Sequence, residues 1–137
     1  MLRLSERISY VGVNDTDKVL FEGLWPLPAG VSYNSYIVAD EKIALIDTVE
    51  CGFEEEFLSN IHEAIGERSL DYLVVNHMEP DHSSLISYML QEYPELQIIA
   101  NAKTALSGNL PSFKTTLSLY KLYDCISLPL LTFSSSS

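Results

Sequence analysis

Tyr72-Leu73-Val74-Val75-Asn76-His77-Met78-Glu79-Pro80-Asp81-His82-Ser83 joins a short, unbroken apolar run to two imidazoles and two carboxylates. A run of this length and composition predicts a buried strand. His77 then stands where that strand emerges. A strand end is rigid, while the loop it enters can turn successive side chains toward one point, so His77, Glu79, Asp81 and His82 can converge without long-range pairing. Pro80 restricts the loop further and lowers the entropy lost in fixing the ligands.

Working upstream, Phe53, Phe57, Leu58, Ile61 and Ile65 fall on one helical face, with Glu54, Glu55 and Glu56 in the first turn and Gly66 at the end, which predicts a helix from Phe53 to Ile65. Tyr33–Ala39 and Ile43–Asp47 are β-rich runs around Asp40-Glu41-Lys42, the composition of a hairpin, and the apolar Ile43–Ile46 is expected to be buried on both faces. Asp47 would end that strand with a carboxylate. Trp25–Gly30, with two prolines, reads as a loop, and Ile8–Val13 with Lys18–Glu22 reads as an opening hairpin about Asn14-Asp15.

Downstream, a second helix is expected to begin near Ser83 and carry Leu85, Ile86, Met89 and Leu90 inward until Pro94, followed by a strand over Leu96–Ala100. Helices alternating with buried strands after Asp47 imply an α/β layered fold with some parallel pairing.

The 137 residues suit one domain, and 47% hydrophobic content suits a globular core. A net charge of −11 argues against nucleic acid or an anionic membrane as partner. No apolar run approaches the ~18–20 residues of a membrane span, and Met1–Tyr10 lacks the apolar block of a signal peptide, so a cytoplasmic location is expected. The charge is uneven. Residues 1–102 set five Lys and Arg against eighteen Asp and Glu, whereas residues 103–137 carry Lys103, Lys114 and Lys121 against Asp124 alone. With its many Ser and Thr and no helix-length amphipathic pattern, 103–137 reads as a divergent, poorly structured tail.

Ligand chemistry narrows the metal. Cys51 and Cys125 are far apart and outside any C-x-x-C arrangement, which reads as two ordinary reduced thiols and disfavours a structural zinc knot. Mixed imidazole and carboxylate donors suit iron, manganese or zinc in catalysis, and two carboxylates offset much of the charge of two divalent ions. The competing reading of these residues is a solvated acidic loop.

At Asn76–Ser83 the sequence resembles the flavodiiron proteins, and the resemblance extends over about Leu20–Ala102, including Gly30-Val31-Ser32-Tyr33-Asn34-Ser35-Tyr36 and Leu45-Ile46-Asp47-Thr48. It implies a partial metallo-β-lactamase-like αββα sandwich over residues 1–102, the N-terminal half of that domain. His77 and Glu79 would ligate one iron and Asp81 the other. The histidine matching His82 binds in some members and turns away in others, and Asp47 would buttress the loop from a neighbouring strand. The implied activity is reduction of dioxygen to water or of nitric oxide to nitrous oxide at a diiron site. Electrons would come from FMN on a flavodoxin-like domain, supplied by a donor such as rubredoxin, and a homo-oligomer is compatible with the family. Glu79, where most hydrolases of the wider superfamily have histidine, speaks against the alternative of a two-metal hydrolase. A non-catalytic module that binds metal weakly is a third reading.

A two-metal site needs about six protein ligands, yet no histidine follows His82, and His62 lies on the amphipathic helix. Neither the remaining ligands nor a flavodoxin-like domain is found in the sequence. The expectation is a truncated or frame-shifted, inactive chain that associates through exposed apolar surface.

Overall fold

The computed structural model describes residues 1–21 and 23–100; the expectation of a poorly structured tail over 103–137 lies outside the described residues, as does Cys125. Among the described residues, ten strands and three helices follow in order. The strands are β1 (Leu2–Arg3), β2 (Ile8–Tyr10), β3 (Val13–Asp15), β4 (Leu20–Phe21), β5 (Trp25–Pro26), β6 (Val31–Tyr33), β7 (Tyr36–Ala39), β8 (Ile43–Ile46), β9 (Tyr72–Val75) and β10 (Gln97–Ala100). The helices are α1 (Glu54–Ile65), α2 (Pro80–Ser83) and α3 (Ile86–Glu92).

Six strands form one mixed sheet in the order β1-β2-β7-β8-β9-β10, antiparallel through β8 and parallel from β8 to β10. The parallel half follows from connection length. α1 lies between β8 and β9, and α2 and α3 lie between β9 and β10, which gives each crossover the residues it needs to return to the same edge. Ile37, Leu45, Leu73 and Ile98 are register partners across four neighbouring strands and are all buried. This row joins Phe57, Ile61 and Ile65 of α1 and Ile86 and Met89 of α3 in one apolar cluster. Gly66 ends α1 at φ 63°, with its N–H donating to the His62 carbonyl.

Several expectations are corrected. Ile43–Ile46 is not buried on both faces: Ile43 and Leu45 are buried, while Ala44 and Ile46 are half-buried. The helices cover one face, and on the other the described residues leave β8 partly open. The opening hairpin is absent. β2 pairs with β1 and β7, β3 with β6, and β4 with β5, because the Asp15 carboxylate accepts from the Asp17 and Lys18 amides and turns the chain away before a hairpin ladder can form. Trp25–Pro26 is an edge strand rather than a loop; a two-stranded ribbon tolerates Pro where no ladder N–H is required.

Tyr33–Ala39 is broken at Asn34-Ser35 into β6 and β7, which belong to different sheets. The helix expected from near Ser83 is α3, which starts three residues later at Ile86 and carries Ile86 and Met89 inward. Ahead of it Pro80 opens a separate single turn, α2, after Glu79 at ψ 147°, since proline's fixed φ suits a first helical position and forces extended backbone before it. Asp81 and His82 therefore sit on a helical turn rather than in a loop. Among the described residues, no helix is long and apolar enough to cross a membrane.

Candidate metal centre

The segment after β9 is held at both ends from the segment after β8. Asp47 is buried, and its carboxylate accepts from the Asn76 amide at 2.7 Å and from the Asn76 side-chain amide at 3.1 Å. Thr48 follows, fully buried, and donates to the His82 carbonyl from its amide at 3.0 Å and from its hydroxyl at 2.8 Å. Adjacent residues thus grip the first and last turns of the candidate loop. Asp47 does so from φ 56°, the one non-glycine positive φ among the described residues, a region that Asp reaches more readily than most side chains. Ser35 donates to the Asp47 carbonyl at 2.9 Å, and Ser83 donates to the carbonyls of Met78 and Glu79.

So braced, His77, Glu79, Asp81 and His82 all line one cavity of about 460 Å³. They meet as two pairs. His77 Nδ1 lies 3.6 Å from Glu79 Oε2, and His82 Nε2 lies 3.6 Å from Asp81 Oδ2, with the two imidazole rings 5.9 Å apart. Both separations exceed hydrogen-bond length. His77 and Glu79 are largely exposed, whereas Asp81 and His82 are about three-quarters buried. Nδ1 of His82 is buried with no hydrogen-bond partner among the described residues. Among those residues, no three His, Cys, Asp or Glu side chains are gathered for a single ion. The donors are of the right chemistry for iron and open on one space, and they fit as part of a two-ion centre, each pair providing fewer ligands than one ion takes.

Facing the same cavity are Lys18 and Glu50, which no local motif marks. The Lys18 ammonium donates to Glu50 Oε2 and, at 3.0 Å, to the Tyr33 hydroxyl. That hydroxyl lies 2.7 Å from the same Glu50 oxygen and 3.2 Å from Asp15 Oδ2. Donation to Glu50, then to Tyr33, holds the Lys18 ammonium well above the ordinary lysine range, and donation from Lys18, then from Tyr33, holds the Glu50 carboxyl below its usual value. Burial, with Glu50 beside it, pushes the Tyr33 phenol up to about 12. Tyr33 falls inside the Gly30–Tyr36 stretch singled out by sequence, but Lys18 is 32 residues from Glu50 and carries no local signal.

A mixed sheet with helices on one face and a histidine–carboxylate segment at the end of an interior strand defines a partial metallo-β-lactamase-like domain. Comparison with known proteins narrows the class. No protein-family model matches. The chain is 35% identical over 100 residues to the flavo-diiron protein FprA2 of Clostridium acetobutylicum, covering 73% of this chain and 25% of that protein. It is 36% identical over 98 residues to the anaerobic nitric oxide reductase flavorubredoxin of Vibrio vulnificus, covering 71% and 20%. Among solved structures it is similar to rubredoxin oxygen:oxidoreductase from Desulfovibrio gigas, with TM-score 0.72 and 30% identity, covering 77% of this chain and 26% of that one. Over about three-quarters of its length the chain is similar to the N-terminal part of flavodiiron proteins, and it spans about a quarter or less of the length of these relatives.

Proposed function

We propose that His77, Glu79, Asp81 and His82 are metal ligands, that Asp47 orients their loop, and that the chain descends from a flavodiiron-type oxidoreductase. Residues 1–102 would be the N-terminal part of its diiron domain, and 103–137 a divergent tail. The observation that carries the reading is the convergence of all four side chains on one cavity at the end of β9. The relatives' names, nitric oxide reductase and rubredoxin oxygen:oxidoreductase, support nitric oxide or dioxygen as substrate and a rubredoxin-type electron donor. An iron pair, when bound, supplies the electrons for reduction of either gas, replenished by FMN on a separate domain. This chain's residues hold and orient. His77 and Glu79 would serve one ion and Asp81 the other, with His82 Nδ1 free to join or to turn away.

Anaerobic loading of the 137-residue chain with ferrous iron, followed by removal of free metal and quantification, tests the reading. Iron retained by the wild type and lost in His77→Ala and Glu79→Ala is expected. Preferential retention of zinc would favour a two-metal hydrolase, and equal, substoichiometric binding by wild type and both variants would reduce the loop to a weak, non-catalytic module.

A further inference from the structure

Three acid–base pairs line the cavity: His77 with Glu79, His82 with Asp81, and Lys18 with Glu50. The first two are loose at 3.6 Å and depend on histidine protonation, so a metal ion that takes the imidazole nitrogens meets little resistance. The third is of another kind. One Glu50 oxygen accepts from both the Lys18 ammonium and the Tyr33 hydroxyl, Tyr33 is buried against Phe53, and the ammonium also lies 5.3 Å above the Tyr33 ring centre. Lys18 and Glu50 are each about a quarter exposed, which leaves the pair only partly screened by water.

A free carboxylate on the wall of a cavity built for divalent ions would be recruited by them, since hard oxygen donors add both ligation and charge neutralisation. We propose that Lys18 is a positioning residue that withholds Glu50 from the metal centre, limiting the ligand set on this side of the cavity to His77, Glu79, Asp81 and His82. The inference rests on the metal-centre reading above. The latch keeps one carboxylate's charge cancelled by an ammonium that stays protonated through neutral pH. It leaves coordination positions open that a fifth protein donor would fill. Lys18→Met frees Glu50 and removes a competing cation, Lys18→Arg keeps a donor and a charge, and Glu50→Gln removes the carboxylate that the latch conceals.

Cobalt(II), whose visible bands report coordination number, is titrated anaerobically into the full chain and each variant. Calorimetry gives the affinity, and thermal melts confirm that each variant folds. The expected result for Lys18→Met is binding about tenfold tighter with altered visible bands, a change equivalent to ~1.4 kcal/mol. Lys18→Arg should resemble wild type, Glu50→Gln should stay within about threefold of it, and Lys18→Met/Glu50→Gln should lose the gain. If wild type binds cobalt and Lys18→Met binds it no more tightly, the latch is refuted while the metal centre stands. A tenfold loss in Glu50→Gln alone would also refute it, because Glu50 would then already be a ligand. Failure of both wild type and Lys18→Met to bind would overturn both readings.

Discussion

Replacing Asp47 tests how the loop is held, and three changes separate the contributions. The wild-type carboxylate accepts two hydrogen bonds from Asn76, one from the backbone, and does so at φ 56° with the side chain buried. Hydrogen bonds to charged groups contribute ~1.5–3 kcal/mol, and a buried N–H left without an acceptor costs about 1–3 kcal/mol. Alanine adds ~1–2 kcal/mol for the left-handed backbone that Asp tolerates better. The lost bond and the unpaired N–H are one loss, so with the backbone cost Asp47→Ala should destabilise by about 2–5 kcal/mol, a large share of the ~5–15 kcal/mol of a typical domain. Asp47→Asn keeps the shape and one acceptor but turns an amide donor toward a donor of Asn76, for about 1–2 kcal/mol. Asp47→Gly relieves the backbone while losing both bonds, and should fall between them. Urea unfolding followed by circular dichroism gives the three values, and hydrogen exchange at the Asn76 amide should quicken in the same order. Were Asp47→Ala to cost no more than Asp47→Asn, the positive φ and the lost backbone acceptor would not be what holds the loop.

Leu73→Ala, fully buried in the row of register partners at the centre of the sheet, should cost about 2–5 kcal/mol in the same assay, and less than 1 kcal/mol would show the row to be loosely packed. Gly30→Ala should be strongly destabilising or fail to fold, because Gly30 sits at φ 75° and an added Cβ would lie 2.1 Å from the Asp15 carbonyl oxygen; a wild-type melt would contradict that geometry. Glu50, held down by Lys18, and Asp71, held down by Lys42 and the Ile43 amide, are depressed in the folded state, so the stability they contribute is present above the ordinary carboxylate range and lost as pH falls through their folded values. Stability should thus be flat from pH ~5 to neutral and decline below that range, more shallowly in Asp71→Asn; an equally steep decline in that variant would remove Asp71 from the account.

Much of this fold was legible because its central elements are local in origin. The helical face from Phe57 to Ile65, the capping Gly66 and the apolar run of β9 each state their period within a dozen residues, and the structure has α1 and β9 within a residue of the expected bounds. The candidate site was legible as a pattern for the same reason: His77, Glu79, Asp81 and His82 lie within six consecutive residues just past a strand end. The opening of the chain, up to β6, was less so. The pairings of β2 with β7 and of β3 with β6 join residues 16 to 30 apart in register, and nothing in Ile8–Asp15 distinguishes those partners from a local hairpin. Pro80 carried a readable signal for an early helical turn, since proline is enriched at the first helical position.

By itself, the sequence determined the donor types, their order along the chain, the strand that presents them and the carboxylate of Asp47 at the end of its neighbour. Only tertiary structure decided that Thr48 grips the far end of the same loop, that His77 and His82 each stand beside a different carboxylate, and that Lys18 and Glu50 share their cavity. The reason is range. A motif of adjacent residues is written in the chain, whereas a salt bridge between residues 18 and 50 exists only once the sheet has brought their segments together, and no local pattern encodes it.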